Sequence, residues 1–214
     1  GLAHEIRNPL GTIRMKAENA LAAPPAKRQD RMEAALQTTL GQVQRLETLV
    51  SSLLALTQSF HPRREPVALA GWLEHCRLAH AEAADEMKVT LTLDVETGLD
   101  EATRDVALFD PAHMQRVIDN LLLNALAHAH AGGHITLGAA RGETSLRLSV
   151  SDDGSGVPPP LHATLFDPLV TGRVGGTGLG LAVVREVVQA HGGSVVLDPT
   201  HTQGTRIVLE LPWP

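Results

Sequence analysis

A chain of 214 residues, 43% hydrophobic and carrying a net charge of −6, is long enough for one large or two small domains with cores of their own. The single cysteine, Cys76, excludes an internal disulfide framework and a cysteine-built zinc site, as suits a reducing cytosol. The acidic balance and an aromatic content of 2% argue against nucleic-acid binding, which usually shows a basic surplus and stacking platforms. No apolar run approaches the roughly 18 residues of a membrane span, so no membrane contact is expected of this stretch. It opens at Gly1 without a Met, inside a helical pattern, and reads as a piece of a longer protein.

Residues 1–59 pattern as two long helices. In the first, Ile6, Leu10, Ile13, Ala17 and Ala20 alternate by four and three, and Pro24-Pro25 ends the run because neither residue can continue the hydrogen-bond ladder. In the second, Leu36, Thr39, Val43, Leu46, Val50, Leu53 and Thr57 repeat as a heptad seam. Leu40, Leu49, Leu54 and Leu56 lie off that seam, so a hairpin of these helices needs a second partner surface, most economically a homodimer forming a four-helix bundle. The first helix carries His4-Glu5-Ile6-Arg7-Asn8-Pro9-Leu10. An exposed imidazole beside a carboxylate is usually a solvated face, yet it is also a nucleophile with a neighbouring base. Asn8 lies one turn further along the same side, and Pro9 costs a helix interior about 3 kcal/mol.

Residues 60–66, with two prolines and a charge cluster, read as a linker. A helix is expected around residues 69–87, and a strand over 89–95, where Val and Leu alternate with Thr. Asp110-Pro111 is a helix start, Asp capping and Pro in first position. That helix, to about residue 130, has Asn120 and Asn124 stacked beside its apolar stripe. Buried carboxamides need partners, and amide oxygens also suit a hard cation such as Mg²⁺. Two strands at 134–140 and 145–151 follow, the second leading into Asp152-Asp153-Gly154-Ser155-Gly156. Then come Leu165-Phe166-Asp167-Pro168 and Gly176-Thr177-Gly178-Leu179-Gly180-Leu181, where alternate glycines precede a helix over 179–191. Such a loop lets the backbone approach a phosphate at the positive end of a helix dipole, although glycines before a helix are more often a packing turn. Strands at 194–197 and 205–211 close an α/β sandwich of three helices and about five strands. His128, His130 and His134 suggest a metal, but Gly132-Gly133 separates them and no spaced fourth ligand follows.

The order of these motifs resembles the transmitter core of bacterial two-component sensor histidine kinases, over nearly the whole chain. The H-box is His4 to Leu10, the N-box Asn120 to Ala125, the first glycine box Asp152 to Gly156, the F-box Leu165 to Pro168 and the second glycine box Gly176 to Leu181. The resemblance implies an α+β protein: a dimeric helical hairpin over 1–59, then over 67–214 an ATP-binding domain of the gyrase, Hsp90, histidine kinase and MutL type. It implies that His4 takes the γ-phosphate of ATP and passes it to the aspartate of a response regulator. Glu5 would be the general base, and Asn8 would position water for dephosphorylating the partner. Asn120 and Asn124 would hold Mg²⁺, and Asp152 would accept from the adenine amino group. Gly154 and Gly156 would let the ring lie close, while Gly176, Thr177, Gly178, Leu179 and Gly180 would wrap the phosphates. Residues 171–175 would form a lid whose one cation is Arg173. Ala127 stands where many relatives have Lys, with His128 following in the nucleotide site, and Leu169 replaces a second Phe. The ATP-binding domain is expected to swing about residues 60–66 to reach His4. The full protein is expected in the cytoplasm or anchored to its face of the membrane. Alternative readings are an ATP-binding regulator acting mainly as a phosphatase, a vestigial scaffold, and an ATPase without a phosphohistidine.

Overall fold

The computed structural model describes residues 2–57, 60–96, 106–172 and 176–213, with side chains at all of these except 2, 4 and 55–57. Helix α1 (Leu2–Leu21) and helix α2 (Pro25–Thr57) form a hairpin. Its turn is short because Pro25 takes the first position of α2, where a missing N–H leaves nothing unpaired, and Lys27 N–H bonds the Pro24 carbonyl at 2.9 Å. The proline pair thus ends one helix by starting the next. Ala20, Ala23, Ala35, Leu49 and Ser52 of this region are buried.

The heptad seam divides in a way the spacing did not indicate. Thr39, Leu46 and Leu53 are half-buried, whereas Leu36, Val43 and Val50 are exposed. They form an outer stripe with Leu40 and Leu54, and Leu36 and Leu40 are 63% and 66% exposed. Leu49, off the seam, is the fully buried one. A helix packed on two sides presents two stripes of similar period, and sequence spacing does not say which faces the near partner.

The second domain is built on a five-stranded sheet in the order β2-β4-β5-β7-β6. Its strands are β2 (Thr90–Val95), β4 (His134–Arg141), β5 (Ser145–Asp152), β6 (Ser194–Leu197) and β7 (Thr205–Pro212). β2 and β4 pair in parallel and the rest antiparallel. One face alternates inward with Leu91, Ile135, Leu137, Leu148, Val150, Ile207 and Leu209. Against it pack α3 (Leu69–Ala79), α4 (Ala81–Glu86), α5 (Pro111–His128) and α6 (Gly180–Ala190). The helix expected over 69–87 is broken at His80, whose Nδ1 sits 3.1 Å from the Cys76 carbonyl it would otherwise leave to the ladder. Two short strands were not foreseen: β1 (Glu65–Ala68) pairs antiparallel with β3 (Val106–Phe109).

β1 begins inside the stretch read as a linker, and most of that stretch lies on the second domain. Arg63 N–H bonds Asp110 Oδ2 at 2.9 Å, Arg64 Nη2 bonds the His191 carbonyl at 2.9 Å, and Phe60 meets the His113 ring edge-on at 5.3 Å. Asp110 also caps α5, as its sequence context predicts, accepting from His113 N–H at 3.0 Å.

Candidate nucleotide site and phosphoacceptor helix

A cavity of about 260 Å³ opens between α5, the glycine loop before α6, and the segment after β5. Asn120, Asn124 and His128 line it at two successive four-residue steps, which bring them to one face of α5. Asn120 Nδ2 donates to the Arg116 carbonyl at 2.8 Å, which fixes the amide and turns Oδ1 towards the glycine loop. A Cβ on Gly180 would lie 2.8 Å from that oxygen, so only glycine leaves it clear. Gly178, at φ +63°, would with a Cβ run 2.6 Å from the backbone of Leu169 and Val170. Its carbonyl accepts from Leu169 N–H at 2.9 Å, which ties the two ends of the 169–178 loop together. Leu169 itself has φ +67°, a left-handed conformation costing a non-glycine residue on the order of 1–2 kcal/mol.

Asp152 ends β5 and is buried. Its Oδ1 accepts from Gly154 N–H at 2.9 Å and Thr205 N–H at 3.3 Å. Burial pushes the carboxyl above its usual range, and these N–H donors, with the imidazole of His128, pull only partly the other way. Gly154 has no room for a side chain, since a Cβ would sit 2.7 Å from the His128 carbonyl. Val157, Pro158, Leu161, Leu165, Val170 and Leu181 make the rest of the wall largely apolar. Arg185 Nη1 holds Asp167 at 2.8 Å, fixing the Phe166-Asp167-Pro168 turn to α6.

The hairpin closes one side. Thr48 of α2 lines the cavity, and Arg116 Nη2 reaches the Ser51 carbonyl at 3.2 Å. His4 lies in the first turn of α1, its side chain outside the described residues. Glu5 is half-buried and pairs with Arg45 of α2 at 3.6 Å, while Asn8 is exposed. Neither Glu5 nor Asn8 lines the cavity.

Residues 109–214 match the model of the histidine kinase-, DNA gyrase B- and HSP90-like ATPases, and residues 1–59 match the His Kinase A (phospho-acceptor) domain. The chain belongs to the histidine kinases, as their transmitter core. It is 32% identical over 212 residues to the sensor histidine kinase ZraS of Escherichia coli O157:H7, covering 99% of this chain and 45% of that one. To the sensory histidine kinase/phosphatase NtrB of Salmonella typhimurium it is 34% identical over 223 residues, covering 95% and 59%. The chain thus spans about half the length of the curated relatives it matches. Among solved structures, histidine kinase ThkA in complex with the response regulator protein TrrA superposes with a TM-score of 0.80 at 22% identity, covering 99% of this chain and 60% of that one. Full-length ShkA in complex with AMPPNP gives 0.74 at 25%, covering 99% and 44%.

Of the residues singled out from this transmitter core's sequence, Asn120, Asn124, His128, Gly156, Gly176, Thr177, Gly178 and Gly180 stand around the cavity. Asp152 and Gly154 lie just behind Gly156 and Thr205. Leu179 is buried and does not line the cavity, and its backbone N–H lies 3.4 Å from Thr177 Oγ1 at the turn into α6. Arg173, with most of the proposed lid, lies outside the described residues. The histidine cluster gathers on Asp153, with His134 Nδ1 at 3.3 Å and His130 Nδ1 at 3.9 Å, and the described residues hold no group of three that could bind a metal. Thr48, Thr205 and Gly204 were missed. Among the described residues no helix is long and apolar enough to cross a membrane.

Proposed function

We propose that this chain transfers the γ-phosphoryl group of ATP to His4 and from there to an aspartate of a response regulator. The observation that carries the reading is that the cavity between the N-box helix and the glycine loop is walled by Thr48 of the hairpin that holds His4. Nucleotide chemistry and phosphoacceptor thus occupy one chain and touch through α2. The ShkA complex with AMPPNP and the ThkA complex with a response regulator support the two partners.

Each residue does what its environment permits. Asp152, with Oδ1 taken by two N–H donors and the Thr205 hydroxyl also bonding its carboxylate, would offer its remaining acceptor capacity to an exocyclic amine, which selects adenine over guanine. Asn120 Oδ1, aimed away from its own helix, and Asn124 one turn on provide amide oxygens of the kind Mg²⁺ accepts. When bound, that ion would neutralise charge on the triphosphate. The N–H groups of residues 176–180 lead into the α6 N-terminus and suit the phosphates. Phosphoryl transfer needs in-line approach and neutralised charge rather than covalent assistance, so one nucleophile and one donor-rich loop suffice. His4 supplies a ring nitrogen lone pair, and Glu5, held loosely by Arg45, takes the proton from the other nitrogen. The exposed Leu36, Leu40, Val43, Val50 and Leu54 stripe is the face that a second copy covers in a four-helix bundle.

Incubation with γ-labelled ATP and Mg²⁺ tests the reading. Wild type should acquire acid-labile, base-stable label that His4→Gln lacks; ATP binding without label would refute it. A phosphatase activity on the regulator is the second reading, favoured by the exposed Asn8 and the kinase/phosphatase NtrB. Asn8→Ala should then slow regulator dephosphorylation while leaving labelling of His4 intact.

A further inference from the structure

The stretch 60–64 is held to the ATP-binding domain through a buried histidine that plays no part in the chemistry above. His191, 2% exposed, stands at the C-terminus of α6. Both ring nitrogens are committed. Nε2 accepts from the backbone N–H of Asp110 at 3.1 Å, and Nδ1 lies 2.8 Å from the Val187 carbonyl. A backbone N–H can only donate and a carbonyl can only accept, so the ring must be neutral, with its proton on Nδ1. Protonating Nε2 would set two donors against each other in a buried site.

The same residue anchors the strap on its other side. Gly192 at φ +79° turns the chain out of α6, and the His191 carbonyl left at the helix end takes the Arg64 guanidinium at 2.9 Å, a cation where the helix dipole is negative. Asp110 joins the two halves. Its N–H goes to His191, its Oδ2 accepts from Arg63 N–H, and its Oδ1 accepts from His113 N–H. His113 completes the cluster, with Nδ1 at 3.3 Å from Asp110 Oδ2 and its ring edge-on to His191 at 6.3 Å and to Phe60 at 5.3 Å.

We infer that His191 is a positioning residue: in its neutral form it locks residues 60–64 to the ATP-binding domain, and acid releases them. The groups facing it fix the sign. Burial, the most important, and then the charges of Arg64 and His113 oppose a positive charge on the ring; the Val187 carbonyl and Asp110 favour it. The net effect holds His191 below the ordinary histidine value. The locked form is then fully present above about pH 6.5 and weakens as pH falls below it, because the released state takes up the proton first. Where the proposed phosphoryl transfer applies, the strap travels with the ATP-binding domain, and the position from which that domain reaches His4 becomes pH-dependent.

Amide hydrogen exchange, corrected for intrinsic rates and followed from about pH 8 to about pH 5.5, tests this without nucleotide or kinase activity. A failure here therefore leaves the proposed function untouched. Protection of residues 63–64 in wild type should fall by up to about tenfold per pH unit once the released state binds the extra proton. It should stay flat in His191→Gln, whose amide oxygen keeps the acceptor for Asp110 N–H without titrating. Arg64→Ala should loosen the strap at all pH values while the sheet stays protected. If His191→Gln does not fold, ring ¹⁵N shifts of His191 in wild type must titrate with the same midpoint as the Arg63 amide. Equal acid sensitivity in both proteins, no acid response in wild type, or unmatched midpoints would overturn the inference.

Discussion

At the scale of single residues, Asp152 separates stability from binding. Burial raises its carboxyl, so the native chain takes up a proton at higher pH than the unfolded chain does. Its charge therefore subtracts from stability at neutral pH, and that deficit closes as pH falls through the native value. Asp152→Asn keeps Oδ1 for Gly154 and Thr205 but can set a donor where the adenine amine would come. The expected result is an unchanged or slightly higher melting temperature, with ATP affinity lower by roughly ten- to a hundredfold, the worth of a charged hydrogen bond. Calorimetric titration and thermal melts check both halves. Asp152 was legible because a carboxylate closes a strand just before two glycines. Thr205 and Gly204 were not, because they reach it only through the β5–β7 register, which pairs Asp152 with Thr205. Gly204 lies at φ +86°, where a Cβ would run into the Asp152 carbonyl oxygen. Gly204→Ala should therefore lower both stability and ATP affinity, unlike Asp152→Asn.

Among the elements, α2 carries the sharpest contrast. Leu49 is fully buried while Leu40, nine positions away, is 66% exposed. Leu49→Ala should cost about 2–5 kcal/mol, as large-to-small changes in a packed core do. Leu40→Glu should leave the hairpin folded and weaken self-association. Chemical denaturation reads the first and analytical ultracentrifugation the second. The heptad revealed a helix with two apolar sides but not their assignment, since both stripes share one period. β1 and β3, at four residues each, carry too little alternation to stand out, and their pairing spans a separation that no local pattern encodes.

Across the whole molecule, the ATP-binding domain rests against the hairpin through Arg116 on the Ser51 carbonyl and Thr48 at the cavity. Glu5 and Asn8 do not line that cavity, so under the proposed function the domain would leave this docked arrangement before phosphate passes to His4. A net hydrogen bond is worth about 0.5–1.5 kcal/mol. Arg116→Ala should thus raise the initial rate of His4 labelling roughly two- to tenfold if undocking limits it; an unchanged rate would place the limit elsewhere. Domain order was legible in the motifs, each box carrying its own chemistry. The docking was not, because it depends on single surface residues such as Arg116 and Thr48 that no periodicity distinguishes.

The bond from Leu169 N–H to the Gly178 carbonyl has a consequence for how such a kinase can change. The loop is clasped at its base, so its length can change without moving the wall that α5 supplies, while Val170, Thr171, Gly172, Gly176 and Thr177 inside the clasp line the cavity themselves. Closing a flexible loop of twice the length costs only about 0.6 kcal/mol more in chain entropy. Insertions between these two residues should leave the melting temperature almost unmoved. Nucleotide residence time could then be tuned by lengthening or shortening one segment, with the rest of the fold unaware of the change.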